Sequence, residues 1–158
     1  MNIALLKAEN HPLVYIDESG FEVDVCRTHG YSARGERCND KKNWRAKGRL
    51  NAIGALLAGV LLTVTLITGT INSNVFYQWT VDELVPKLPD RAVVIMDNAS
   101  FHKRADIIEA ITNAGFIVEF LPPYSPDYNP IEKKWSQYKS IRRQYLCEPY
   151  ELFSEYCK

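Results

Sequence analysis

The sequence predicts an α/β domain in which a mixed β-sheet is flanked by helices, and three patterns point there. Two compact apolar runs, residues 12–17 and 92–97, each end on an aspartate, as buried strands with a polar group at the carboxyl end would. Residues 50–71 alternate and turn like a hairpin. Beyond residue 72, stretches of helical periodicity alternate with short apolar runs in the order helix, strand, helix, strand, helix. A single domain of 158 residues is large enough to bury one substantial core.

Each element has a local reason. Pro12 to Ile16 run without a charge into Asp17, and Phe21, Val23 and Val25 then alternate with Glu22 and Asp24, which gives a strand one wet face and turns Asp24 to solvent. No charge interrupts the 22 positions from 50 to 71, so a membrane span has to be weighed. Thr63, Thr65, Thr68 and Thr70, three glycines, and the alternation of Leu62, Val64 and Leu66 with threonine predict instead two strands turning near Ala58 and Gly59. Asn72 or Ser73 caps a helix reaching about Leu88, with Phe76, Trp79 or Thr80, Leu84 and Leu88 on one face. Residues 92–97 read as a parallel strand covered on both sides, residues 105–114 as a helix stopped by Gly115, and residues 116–121 as a further strand. A proline-stiffened loop then leads into a last helix, residues 130–145, whose apolar face is Ile131, Trp135, Tyr138 and Ile141. Asp17 and Asp97 thereby end neighbouring strands, and the last helix carries Glu132 to them, at the end of an open sheet where ligand sites lie.

Composition excludes little by itself. The chain is 46% hydrophobic and 24% charged with a formal net charge of zero, so charge alone does not hold it to nucleic acid. The distribution is uneven: Arg27, Arg34, Arg37, Lys41, Lys42, Arg45, Lys47 and Arg49 face only Glu36 and Asp40, and Lys133, Lys134, Lys139, Arg142 and Arg143 form a second basic run. Trp44 and Tyr31 stand among the first run, as suited to stacking on bases as to packing. Cys26, Cys38, Cys147 and Cys157 are scattered and read as reduced thiols of a cytoplasmic protein, and Cys26, His29 and Cys38 match no paired-ligand spacing for zinc.

Three carboxylates in this order suit metal-assisted phosphodiester chemistry, in which hard divalent ions about 3.5–4 Å apart are held by a few acidic side chains. Each also has a structural reading: Asp17 and Asp97 as turn residues, and Glu132 as the partner of Asn129 in a capping box with Pro130 at the first helical position. Glu18 falls on the opposite face of its strand from Asp17 and is not expected to be a ligand.

A resemblance decides between these readings. Asp17, Glu18, Ser19, Gly20 and Phe21; Gly30, Tyr31 and Ser32 with Gly35; Asp97 to His102; and Leu121 to Pro126 running into Asn129, Pro130, Ile131, Glu132 and Trp135 resemble the motifs of one family. It is the catalytic domain of the bacterial insertion sequence 630 transposases, relatives of the mariner-type enzymes within the ribonuclease H-like fold. The 34 residues between Asp97 and Glu132 match the interval of that branch.

The resemblance implies a single ribonuclease H-like domain over residues 1–158 with Asp17, Asp97 and Glu132 holding two Mg²⁺ or Mn²⁺ ions. It implies hydrolytic cleavage of DNA to free a 3′-hydroxyl, then attack of that hydroxyl on target DNA. Asn98 and His102 become neighbours that orient a water or a phosphate, and Asn129 a residue that steadies the helix of Glu132. Arg34, Arg37, Lys41, Lys42, Arg45, Lys133 and Lys139 are the expected contacts to transposon ends and target DNA. The family's N-terminal helix-turn-helix region has no counterpart in these residues, so end recognition is expected from a separate segment, and relatives act as paired complexes, which suggests a homodimer. The expected location is the bacterial cytoplasm, on the nucleoid when DNA is bound. The competing readings are a catalytically silent DNA-binding fragment, a stand-alone endonuclease of the same fold, and a membrane-anchored protein.

Overall fold

A computed structural model describes residues 3–22, 34 and 48–156. Its centre is a five-stranded sheet in the order β3-β2-β1-β4-β5, formed by β1 (Leu13–Glu22), β2 (Arg49–Leu57), β3 (Val60–Thr68), β4 (Val93–Met96) and β5 (Ile117–Phe120). β1 is antiparallel to β2, and β2 to β3, whereas β4 runs parallel to both β1 and β5. The mixed sheet predicted from the sequence is therefore present, with the charge-free segment forming the β2–β3 hairpin. Its turn is Ala58 and Gly59, both at positive φ (51° and 81°), the mirror-image geometry that matches the twist of paired strands. No helix among the described residues is long and apolar enough to cross a membrane.

Helices cover both faces. On one side α2 (Ser73–Trp79) and α3 (Ala105–Asn113) pack Phe76, Trp79, Ile107 and Ile111 against Val14, Ile16, Val94 and Met96. On the other, α4 (Pro130–Tyr145) and α5 (Pro149–Leu152) enclose Phe21, Trp135 and Phe153 in an edge-to-face aromatic cluster. A short α1 (Ile3–Ala8), unforeseen in the polar start of the chain, seats Leu6 against Val93, Ile95 and Leu121.

Three expectations need correction. Asp17 does not end its strand: β1 continues through Gly20 to Glu22 because β2 pairs with it along that whole length. Val23 and Val25 lie outside the described residues. The helix from Asn72 is capped as expected, with Asn72 Oδ1 accepting from the Asn74 and Val75 amides, but it is not uniform. It widens into a π-helical turn at Thr80–Leu84 and tightens to a 3-10 turn at Val85–Lys87, where Pro86 has no amide hydrogen to continue the α ladder. Finally, Asn129 stands at the start of α4 without a side-chain capping bond, so the capping-box reading of Glu132 does not hold.

Candidate active site

The parallel register Leu13↔Val93, Val14↔Val94, Tyr15↔Ile95 places Asp17, two residues further along β1, level with Asp97 just past the end of β4. Alternation along β1 sends Asp17 toward α4, while Glu18 faces the α2–α3 side. Across the sheet Asp17 pairs with Gly54 of β2, and that glycine is a structural requirement. A Cβ on Gly54 would lie 2.5 Å from Cη2 of Trp135, so only a bare backbone lets the indole lie on the sheet. So seated, Trp135 donates from Nε1 to Oδ2 of Asp17 at 3.2 Å. Glu132, three residues earlier on the same helix, is thereby fixed near Asp17.

The three carboxylates come from three separate elements and line one cavity of about 370 Å³, together with Asn98, Asn129 and the loop from Leu121 to Pro126. Among the described residues no three acidic, histidine or cysteine groups are already closed around one point, as a bound ion would draw them. Two observations nevertheless fit a cation here. Asn129, 4% exposed, leaves its Oδ1 buried without a hydrogen-bond partner in the cavity wall. Asp17, 8% exposed, has its carboxyl pushed up to about 7 by burial and by the charges of Glu132, Glu18 and Asp97. A cavity with oxygen donors and mutually repelling carboxylates is one that a hard divalent ion relieves.

Asp97 is held differently. Its Oδ1 accepts from the Ala99 amide at 2.9 Å and from His102 Nδ1 at 2.6 Å, bonds that keep its carboxyl below the usual range. His102 is not the solvated loop residue that its position suggests: it is fully buried in the 3-10 turn Ser100–Lys103, packed on Phe76 and Phe101. Its Nε2 meets Oε1 of Glu18 at 2.8 Å. Ionised carboxylates only accept, so a ring between two of them donates from both nitrogens and is an imidazolium. Burial works against that charge, but Asp97 and Glu18 overcome it and raise the His102 pKa to about 9. Glu18 faces away from Asp17, as its strand position predicts, yet it reaches the site through His102 as a positioning residue for Asp97. That contact spans 84 positions of sequence and left no local signal.

These shifts set the pH dependence. Asp17, raised from 3.8 to about 7, keeps its proton in the fold where the unfolded chain has lost it, so its contribution to stability is full below 3.8 and disappears as pH rises through about 7. The contribution of His102 is full below 6.5 and lost as pH rises through about 9. The melting temperature of the cation-free domain is expected to fall between about pH 5 and 9. Asp17→Asn should flatten the acid half of that fall and His102→Gln the alkaline half in circular-dichroism melts. A wild-type profile that is flat or rises over this range would contradict the assignment.

The basic residues are only partly placed. Arg37, Lys41, Lys42 and Arg45 lie outside the described residues, as do Tyr31, Trp44, Cys26, His29 and Cys38, and Arg34 is exposed in a turn. Lys133 is exposed on the first turn of α4 beside Glu132, whereas Lys139 holds its ammonium 5.5 Å from the centre of the Phe21 ring, a packing contact. Arg142 is buried and donates from Nε to the Cys147 carbonyl.

Residues 12–148, nearly the whole of this fold, match the model of the DDE superfamily endonucleases. The chain belongs to that family. No curated protein matches it in sequence. Among solved structures, this DDE-family fold is similar to a Mos1 transposase paired-end complex with left transposon end at a TM-score of 0.68 and 17% identity, covering 88% of this chain and 45% of that one. The catalytic domain of Mos1 mariner transposase matches at a TM-score of 0.60 and 14% identity, with 96% of this chain and 71% of that one covered. An intasome chain of simian T-cell lymphotropic virus, solved with a PP2A regulatory subunit, matches at 0.62 and 12% identity, over 92% of this chain and 46% of that one. The chain thus spans less than half the length of the first of these, and the likeness establishes a fold shared with ribonuclease H-like transposase domains.

Proposed function

We propose that this chain is the catalytic domain of a DNA transposase of the insertion sequence 630 and mariner type, with Asp17, Asp97 and Glu132 as its metal-holding carboxylates. The observation that carries the reading is that three acids from β1, the end of β4 and α4 line one cavity in a DDE-family fold. The similar Mos1 complexes with Mn and with Mg support divalent ions as the cofactor, here two Mg²⁺ or Mn²⁺. Bound between these carboxylates, the ions supply a strong nucleophile from water and relief of negative charge at the phosphate.

The protein's own part is positional. Asp17, rigid within β1 and tied to Trp135, is the shared wall of the site, Glu132 closes it from the solvent side, and Asp97 is aimed by His102 and the Ala99 amide. In the first step a water oxygen bonds to phosphorus as the bond to the 3′ oxygen breaks, releasing a 3′-hydroxyl. In the second, that hydroxyl oxygen attacks a phosphate of target DNA in the same cavity, releasing a target 3′-hydroxyl. The grip on transposon ends is assigned to a separate helix-turn-helix region, with two copies acting together.

Nicking of supercoiled plasmid tests the reading. Open circles are expected with Mg²⁺ or Mn²⁺ and none with chelator. DNA binding without cleavage under any metal condition would favour a silent fragment, and cleavage that never joins a 3′ end to target DNA would favour a stand-alone endonuclease.

A further inference from the structure

The loop between β5 and α4 presents a side chain that the fold does not use. Tyr124 is fully exposed, at 103% of its reference area, and its backbone lies at φ 56°, a left-handed conformation that costs an L side chain and that glycine or asparagine would relieve. No packing repays that cost. The frame around it is nonetheless stiff, with Pro122 and Pro123 before it and Pro126 after it. Ser125 Oγ donates to the Pro123 carbonyl at 3.2 Å, and the Tyr128 and Asn129 amides close the 3-10 turn onto the Ser125 and Pro126 carbonyls at 3.1 and 2.9 Å. The ring is thus held out from a rigid rim.

That rim belongs to the cavity of Asp17, Asp97 and Glu132, which Tyr124 lines. Strain kept at a cavity edge, in a residue that contributes nothing to the core, marks a functional constraint. An exposed aromatic face beside a site that processes phosphodiesters has one evident chemical partner, since every base offers a π-face to stack on. We infer that Tyr124 is a stacking platform for a nucleobase adjoining the scissile phosphate, a positioning role that rests on the DNA-cleavage reading above. The contact uses the ring and not the hydroxyl, and it tolerates any base.

The test is a cycle of protein and DNA changes. Affinity for a short fluorescein-labelled oligothymidylate, and for the same strand with abasic sites, is measured by anisotropy in Ca²⁺ for wild type and for Tyr124→Phe, Tyr124→Leu and Tyr124→Gly. Leucine and glycine are expected to weaken binding of the base-bearing strand about tenfold, phenylalanine less than about twofold, and none to change binding of the abasic strand. Tyr124→Gly should melt at or above the wild-type temperature, which separates this effect from misfolding. Equal affinities across the series, equal losses on both strands, or no wild-type preference for bases would overturn the inference. Nicking is scored separately: a stacking signal in a protein that never cleaves would sink the cleavage reading alone, and cleavage without a stacking signal would sink this inference alone.

Discussion

Glu132→Gln is expected to lower metal-dependent DNA nicking by more than about 100-fold while leaving the fold intact. Residues that only support a metal ligand typically cost 10–100-fold when removed, so loss of a ligand should exceed that range. Glutamine keeps the length and one oxygen but removes the charge that holds a cation. Glu132 is exposed on the first turn of α4 and makes no capping bond, so its structural contribution is small and unfolding by urea should be nearly unchanged. Comparable nicking by the variant would remove Glu132 from the site.

Trp135→Ala is expected to destabilise the domain by about 3–5 kcal/mol, the range for truncating a large buried aromatic. Trp135 is 2% exposed, lies on Gly54, and meets Phe21 and Phe153 edge to face. Its loss opens a cavity and strips Asp17 of its Nε1 donor at once. Trp135→Phe keeps one aromatic ring in the cluster but removes the N–H together with part of the indole, so its cost should fall below that of alanine while the bond to Asp17 is lost in both. Gly54→Val attacks the same contact from the sheet, and its cost should fall sharply when combined with Trp135→Ala, because the clash it creates is with the indole. Urea unfolding of the four proteins measures the coupling, and simple additivity would show that the two residues do not share a contact.

Much of this arrangement was legible in the residues. Pro130 at the first helical position marked the start of α4, and the predicted span 130–145 is the observed one. The hairpin followed from alternation with threonine, and β4 from an unbroken apolar run that proves buried at every position. Asp17 was misplaced at a strand end because a strand's limit depends on its partner: alternation announced strand from Phe21 onward, but only the pairing with β2, from Val14 to Glu22, shows that β1 runs through Asp17 without a break. Gly54 counted only as one of three glycines set against a membrane span, since the indole it admits lies 81 positions away. The resemblance brought His102 to the site, but its bond to Glu18, 84 positions away, was hidden for the same reason, although Phe101 beside His102 hinted that this turn faces the core. Local periodicity thus placed most of the elements, the resemblance singled out the three carboxylates, and long-range contacts supplied what aims them.

Asp17, Asp97 and Glu132 are proposed to form one divalent-cation site. It is tested most directly by titrating the protein with Mn²⁺ near pH 7.5 and following the free ion by electron paramagnetic resonance, for wild type, Asp97→Asn and Glu132→Gln. Wild type is expected to deplete the free-ion signal, and each substitution to weaken binding by at least about tenfold. Binding of equal strength in all three proteins would place the cation elsewhere and contradict that proposal.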